Sequence, residues 1–212
     1  MAGPTGTYGG RSAQERRAER RERFLRAALD QFGDRPGYRS ASVAALCEAA
    51  GLSTRQFYEE FRNLEEVLAH LHLLVNDWTE QAVLRALTGA AGLAFDQRMA
   101  TVLRAYVTAA TDDPRRLRIA FVEIIGVSEE LERQRLVRRS RWVELIVTEA
   151  EAAAARGEIA PRDYRIAATA FIGAVNGLLH DWTAGQFQAS LDQVVDELAA
   201  LLRGAVRPPD RD

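Results

Sequence analysis

Three histidines are the residues of this sequence whose chemistry most readily suggests metal binding or catalysis. His70 and His72 lie two positions apart and therefore point to different sides of a helix, and His180 is distant in the chain. Glu66 and His70 would share one helix face, but two ligands do not complete a metal site. The sequence also has no glycine-rich phosphate loop and no nucleophile with an evident base. We therefore predict no catalytic residue, no metal and no cofactor.

The composition is typical of a soluble globular protein. Of the 212 residues, 47% are hydrophobic and 27% are charged, and no apolar run approaches the roughly 20 residues needed to span a bilayer. The first residues lack the apolar stretch of a signal peptide, and the single Cys47 cannot form an intramolecular disulfide. We expect a cytoplasmic protein without a membrane partner, in which Cys47 occupies a small core position.

Apolar residues recur at intervals of three and four along most of the chain, which predicts an all-α fold. The first helix is expected over 14–32, the second over 43–50 and the third over 54–61. Ser42 and Ser53 suit N-caps, and Gly51 suits a left-handed helix end. Residues 1–13 and 207–212 are Gly- or Pro-rich and polar, so we expect them to be disordered. The later helices are predicted over 64–87, 95–111, 114–127, 129–156, 163–185 and 190–206.

The segment SVAALCEAAGLSTRQFYEEF, residues 42–61, has the pattern of a helix-turn-helix. Gly51 separates two amphipathic helices, and the small Cys47 would let Phe57 approach closely where the helices cross at a steep angle. Glycine between two such helices is common in all-α proteins, so this pattern alone is moderately specific.

Residues 24–68, which include that segment, resemble the DNA-binding domain of the TetR (tetracycline-repressor-like) family of transcriptional regulators. The matching features are Phe32-Gly33 after an aliphatic run, the turn at Gly37-Tyr38, the break at 50–53, and Phe57-Tyr58 followed by Phe61. The resemblance implies an N-terminal three-helix helix-turn-helix DNA-binding domain over 14–63. It also implies a C-terminal helical effector-binding and dimerisation domain over 64–206.

The resemblance makes 54–61 a recognition helix in the DNA major groove. Arginine can pair with guanine and glutamine with adenine, while threonine offers a hydroxyl and a methyl group. Two acids, Glu59 and Glu60, would then lie beside phosphate, so they either face away from DNA or act against wrong sites. The predicted DNA-binding residues are Thr54, Arg55 and Gln56 for bases, and Ser42, Tyr58, Arg39 and Arg62 for the backbone.

The resemblance also implies a homodimer in which the last two helices of each subunit pack together. Two recognition helices about 34 Å apart would read a palindromic operator in double-stranded DNA. Gly173 and Gly177 are four residues apart and permit close helix approach. The predicted interface residues are Ala170, Gly173, Ala174, Gly177, Leu178, Val194, Leu198 and Leu201.

The helices between these two regions are expected to enclose a pocket for a small, mainly apolar effector. Asn176 and His180 are its candidate polar anchors, although core packing would explain any one of the apolar candidates equally well. The apolar candidates are Trp78, Phe95, Met99, Tyr106, Phe121, Ile125, Trp142, Ile146 and Phe171.

The predicted function is therefore a ligand-responsive repressor that leaves its operator when the effector binds. The alternative is a helical adaptor of the same fold that does not bind DNA in a sequence-specific manner.

Overall fold

A computed structural model describes residues 12–206, which form nine α-helices and no β-strand. The all-α prediction is therefore confirmed, and the parts of the predicted arm and tail at 1–11 and 207–212 lie outside the described residues. None of the described helices is long and apolar enough to cross a bilayer. The helices are α1 (Ala13–Gly33), α2 (Val43–Ala50), α3 (Thr54–Glu60), α4 (Leu64–Gly89), α5 (Phe95–Thr111), α6 (Pro114–Arg118), α7 (Glu129–Ala155), α8 (Arg165–Thr183) and α9 (Leu191–Val206).

The first helix begins inside the segment that we expected to be a disordered arm. The Ser12 hydroxyl accepts a hydrogen bond from the Glu15 backbone N–H, and the Glu15 carboxylate accepts one from the Ser12 N–H. This capping box satisfies two N–H groups that helix starts leave unpaired. Helix α1 therefore extends to Ala13, so the predicted arm is shortened.

Three aromatic rings hold the helix-turn-helix together. Phe24 of α1 packs edge-on against Phe57 and Phe61, with ring centroids 5.6 and 6.1 Å apart, and all three side chains are buried. Gly51 has φ 61°, the left-handed conformation expected from the sequence. The Arg23 guanidinium donates to the carbonyls of Ala50 and Gly51, so α1 also holds the turn.

The hydrophobic core around these rings does not end at residue 63. Helix α4 adds Val67, Leu68 and Leu71 to this core. Ile119 and Ile124, which come much later in the sequence, are also fully buried in it. A second core, formed by α4, α5, α7, α8 and α9, fills the rest of the described chain. The DNA-binding domain predicted over 14–63 therefore shares its core with residues beyond that boundary.

The segment predicted as a single helix over 114–127 is interrupted. Helix α6 ends at Arg118, and the turn Ile119–Glu123 is π-helical. The chain then leaves the helical direction at Gly126, whose φ is 69°. Such π-helical turns are rare and often mark functional positions, because they displace backbone groups from the regular α-helical pattern. The prediction of an unbroken helix was wrong because periodicity alone does not distinguish α from π turns.

Direct contacts join this interrupted segment to the first helices. The Glu123 carboxylate accepts a hydrogen bond from the Tyr38 backbone N–H at 2.9 Å and pairs with Arg118. Asp30 of α1 pairs with Arg115 of α6. A Cβ placed on Gly33 would lie 2.3 Å from the Arg115 Cβ and 2.7 Å from its Cα. Helices α1 and α6 therefore touch backbone to backbone.

A buried histidine joins α4 to α7. His72 is 2% exposed, and the Gln134 side-chain amide donates both to its Nδ1 and to the Ala69 carbonyl. The proton of the neutral ring therefore lies on Nε2. Burial, reinforced by the charges of Arg138 and Arg135, lowers the pKa of His72 from 6.5 to about 4.

We predict that Gly33→Ala lowers the free energy of unfolding by about 1–3 kcal/mol, because the new methyl group would overlap the Arg115 backbone. Gly89→Ala is the matched control, since a Cβ there meets no atom within 4 Å. Urea denaturation of both variants and the wild type measures the effect. Equal stability of the two variants would contradict the close α1–α6 contact.

We predict that acid destabilises the wild type more than His72→Gln. The unfolded chain takes up the His72 proton as the pH falls through 6.5, whereas the folded chain takes it up near 4, so stability is lost across that window. Between pH 6.5 and pH 5 the difference amounts to roughly 1–2 kcal/mol. Urea denaturation at each pH, at a fixed protein concentration, measures it. Parallel pH profiles for the two proteins would show that His72 does not carry this effect.

Candidate nucleic-acid interface and internal cavity

The outer face of α3 carries most of the predicted DNA-contacting side chains. The Arg55 side chain is 90% exposed and the Tyr58 residue is 60% exposed, and Thr54 is also exposed. Phe57, on the opposite side of α3, is fully buried. Helix α3 is therefore fixed by one face and presents arginine, tyrosine and threonine on the other.

The remaining predicted contacts lie at helix starts and turns. Ser42 is exposed and caps α2 by accepting from the Ala45 N–H. Gln56 caps α3, because its Oε1 accepts from the Ser53 N–H at 2.9 Å. Among the described residues, the Gln56 side chain makes both of its hydrogen bonds through this oxygen, so its NH₂ group stays available as a donor. Arg39 is exposed in the 3₁₀ turn Tyr38–Ser40.

The two acids that follow the recognition residues do not occupy equivalent positions. The Glu60 side chain is fully buried, and Arg17 and Arg20 of α1 donate to its carboxylate at 3.0 and 2.8 Å. Glu60 therefore faces away from the exposed surface of α3 and fastens this helix to α1. Glu59 lies on the open side and accepts from Arg55 at 3.2 Å.

Exposed arginines at this surface are held by short-range ion pairs. Arg55 pairs with Glu59 one turn away, and Arg62 pairs in the same way with Glu66 at 3.1 Å. The two arginine side chains are 90% and 87% exposed, and pairs of this kind contribute little free energy in water. Either arginine can exchange its carboxylate for a phosphate or a base edge at small cost.

A polar cavity of about 80 Å³ lies between α4, the π-helical turn, α7 and α8. Arg135, Arg138 and Arg139 of α7 line it, and no carboxylate is among its lining residues. The His180 Nδ1 lies 2.7 Å from the Phe121 carbonyl and donates a hydrogen bond to it, so Nε2 is the ring nitrogen that this bond leaves unused. The cavity is therefore rich in hydrogen-bond donors and positive charge.

An apolar cavity of about 50 Å³ adjoins the polar one. Tyr106, Trp142 and Ile172 line both, and the Tyr106 and Trp142 rings meet edge-on with centroids 5.3 Å apart. Its other walls are aliphatic side chains, Met99 and Phe171. Burial raises the pKa of the Tyr106 hydroxyl, so the ring stays neutral between the two cavities. The two spaces together suit a molecule with an apolar end and a polar end.

Nine of the eleven predicted pocket residues line one or both cavities. Two do not. Phe95 is fully buried at the start of α5, away from both cavities, and Trp78 is 47% exposed on α4, where Arg116 stacks on its ring. The lining residues that the sequence did not predict include His72, Asn76, Ile172 and the three arginines. The nine are Met99, Tyr106, Phe121, Ile125, Trp142, Ile146, Phe171, Asn176 and His180.

The predicted dimer residues separate into two groups. Val194 and Leu198 are fully buried inside the protomer, where α9 packs against its own core, so they do not form an outer surface as we expected. Leu201 is 48% exposed on the other side of α9. On α8, the predicted residues Ala170, Gly173, Ala174, Gly177 and Leu178 are all exposed or half-exposed, and so is Ile166, which was not predicted.

Two family models match this chain. Residues 24–71 match the bacterial regulatory proteins of the TetR family, and residues 92–206 match a tetracyclin-repressor-like C-terminal domain. A comparison with curated protein sequences gave no significant match.

Several solved structures have the same fold. The fatty acid degradation regulator FadR from Bacillus halodurans has a TM-score of 0.74 at 18% identity, with 89% of this chain and 96% of that chain covered. FadR from Bacillus subtilis, in complex with stearoyl-CoA, has a TM-score of 0.73 at 17% identity, with 88% and 99% covered. AibR, in complex with isovaleryl coenzyme A and operator DNA, has a TM-score of 0.67 at 21% identity, with 90% and 100% covered.

At these identities the structural likeness establishes the fold, and the family assignment comes from the two models. The C-terminal model spans more than half of the chain, and the N-terminal model covers the helix-turn-helix described above. The chain belongs to the TetR family of bacterial regulatory proteins.

Proposed function

We propose that this protein is a transcriptional repressor that binds a palindromic operator as a homodimer and is released by an acyl-type effector. The observation that carries the proposal is the rigid connection between an exposed recognition helix and a body that contains an amphipathic cavity. By thermodynamic linkage, an effector that prefers the DNA-free form weakens operator binding by the same factor that the operator weakens effector binding.

The DNA contacts are assigned to α3 and its neighbours. Arg55 and Thr54 are placed to read base edges, and the Gln56 amide donors can do so without loss of its cap contact. Ser42 and Tyr58 are placed for phosphate contacts. Glu60 lies on the buried side of α3, so this acid takes no part in the interface.

The dimer surface is assigned to the outer sides of α8 and α9. Ile166, Ala170, Gly173 and Gly177 repeat at intervals of four, three and four, which places them on one helix face. Ile166 is 83% exposed in the protomer. A second copy would bury this face and bring two recognition helices to one side of the DNA.

The effector is assigned from the shape and charge of the cavity. The apolar space suits a hydrocarbon chain, and the three arginines of the polar space suit an anionic head. Stearoyl-CoA in the B. subtilis FadR structure and isovaleryl coenzyme A in the AibR structure both join an acyl chain to an anionic carrier. A fatty acid or its coenzyme A thioester has the same combination.

Selection of genomic DNA fragments by the purified protein tests the regulatory function. Recovery of a palindromic sequence, bound with a steep salt dependence, is the expected result. Recovery of no preferred sequence at low salt would support the helical adaptor instead.

We predict that Arg55→Ala weakens binding to the selected operator by about ten- to a hundredfold and relaxes the base preference at one position of each half-site. Arg85→Ala is the control, because Arg85 is an exposed arginine of α4 outside the helix-turn-helix. Repeated selection and fluorescence anisotropy at one salt concentration measure both effects. An unchanged base preference in Arg55→Ala would remove Arg55 from the base-reading residues.

We predict that Ile166→Glu shifts the protein from dimer to monomer and lowers operator affinity at nanomolar concentrations. A carboxylate at this position would place a charge without a partner in a surface that excludes water. Leu93→Glu, a similar change at an exposed leucine of the turn between α4 and α5, is the control. Sedimentation velocity distinguishes the species, and a dimeric Ile166→Glu protein would place the interface elsewhere.

A further inference from the structure

One ion-pair cluster links the cavity wall to the helix that leads into the DNA-binding domain. Arg138 of α7 donates to Asp77 at 2.5 Å and to Glu80 at 3.1 Å, and both acids belong to α4. The Arg138 side chain is only 12% exposed, whereas those of Asp77 and Glu80 are 49% and 37% exposed. The cation is therefore largely buried and its partners lie at the surface.

Arg138 can be reached from the inside of the protein as well as from the outside. It lines the polar cavity, and it also lines a groove of about 160 Å³ on the outer side of α4 and α7. Asn76 and Trp142 likewise line both spaces. These three side chains form the partition between the cavity and the groove.

The charge balance around Arg138 favours an anion on the cavity side. Arg135 and Arg139 are the other ionisable side chains of α7 that line the polar cavity. Of the two acids paired with Arg138, Glu80 lines the groove, and neither lines the cavity. Arg135 is paired with Glu132 of its own helix. Arg139 donates to the Thr169 carbonyl at 3.3 Å, and no ion pair between described residues includes it. An anion that enters the polar cavity would meet three guanidinium groups and no carboxylate.

We infer that the anionic head of the effector competes with Asp77 and Glu80 for Arg138, so that ligand binding exchanges an α4–α7 ion pair for a ligand–α7 ion pair. This inference rests on the proposed function, because it assigns the head group of the same effector. An acyl chain in the apolar cavity would place the head against Arg138.

The relative burial of the groups makes this exchange favourable. A largely buried guanidinium is costly to leave without a partner, so Arg138 needs an anion in either state. The half-exposed carboxylates of Asp77 and Glu80 regain water when they are released, at little cost. The exchange keeps Arg138 paired throughout and replaces its partners on α4 with the ligand.

Release of the acids matters because α4 also belongs to the DNA-binding domain. His70 of α4 packs edge-on against Phe61 directly after the recognition helix, with centroids 5.8 Å apart. Asp77 lies two turns further along the same helix. When the Arg138 pairs are lost, the remaining hydrogen bonds between α4 and α7 among the described residues are those of Gln134 with His72 and Ala69 and that of the α7 cap Ser128 with Glu65. A changed tilt of α4 would then change the distance between the two recognition helices of the dimer.

The test uses a double variant, Asp77→Asn with Glu80→Gln, which removes the competing charges and keeps the side-chain shapes. Three probes with the same chain are compared: octanoate, octan-1-ol and octanoyl-CoA. Binding is followed by the fluorescence of Trp142, which lines both cavities, with Trp142→Phe to identify its signal. The double variant Glu129→Gln with Glu151→Gln gives the same change in net charge at exposed positions outside the described ion pairs.

We expect the Asp77/Glu80 variant to bind octanoate at least about fivefold more tightly than the wild type, whereas its affinity for octanol stays unchanged. The control variant should behave as the wild type with both probes. The comparison with octanoyl-CoA shows whether the protein binds a carboxylate or a phosphate head group, because octanoyl-CoA carries phosphates in place of the carboxylate. Arg138→Gln should remove the preference for octanoate over octanol, which gives a second, independent measurement.

Operator binding supplies the readout on the DNA side. Without any probe, the Asp77/Glu80 variant should bind the operator more weakly than the wild type, and octanoate should weaken it further by a smaller factor.

The possible failures are distinguishable. If no probe binds the wild type, the proposed acyl effector is wrong and the exchange is wrong with it. If octanoate and octanol bind but the Asp77/Glu80 variant changes neither affinity, the cavity assignment stands and the ion-pair exchange is overturned.

Discussion

One uninterrupted helix is the constraint on which the rest of this structure depends. Val67 and Leu71, near the start of α4, are buried in the core of the DNA-binding domain, whereas Val83 and Leu87, near its end, are buried in the core of the body. Since a helix of 26 residues transmits a tilt along its whole length, neither core can adjust at α4 without an effect on the other. The recognition helix and the cavity are thereby placed on a common rigid element.

The sequence predicted the recognition helix, but it did not predict the buried Glu60 that attaches this helix to α1. The spacing of Gly51, Ser53 and Phe57 is local and determines the turn, the cap and the inner face, all of which the structure contains. The position of Glu60 depends on Arg17 and Arg20, more than 39 residues earlier in the chain. In a linear pattern an acid at that position resembles any solvated charge, and only the packing of α1 across α3 makes it internal.

The apolar wall and the arginine-lined wall of the cavity differ in how far the sequence predicted them. Aromatic and aliphatic residues at helical spacing identified seven of the fifteen apolar residues that line the two cavities, because such residues must lie inside the helical body wherever the exact cavity is. Arg135, Arg138 and Arg139 follow one another along α7 with the periodicity of an exposed face, so nothing local indicates that they line an interior space. Trp78 and Phe95 line neither cavity, because periodicity gives the buried side of a helix but not its neighbour across the core.

The contacts at Gly33, Tyr38 and Glu123 have a consequence for the exchange of domains between relatives. Ile119 and Ile124 complete the N-terminal core. A chimera joined between residues 63 and 64 would therefore combine the DNA-binding helices of one protein with a C-terminal domain whose contact surface fits the helices of another. The chimera would retain the operator specificity of the transferred helices only if α6 and the π-helical turn were transferred together with them. In this protein the structural unit that supports DNA specificity is therefore discontinuous in sequence: it consists of α1 to α3 with the start of α4, and of the segment from α6 through the π-helical turn.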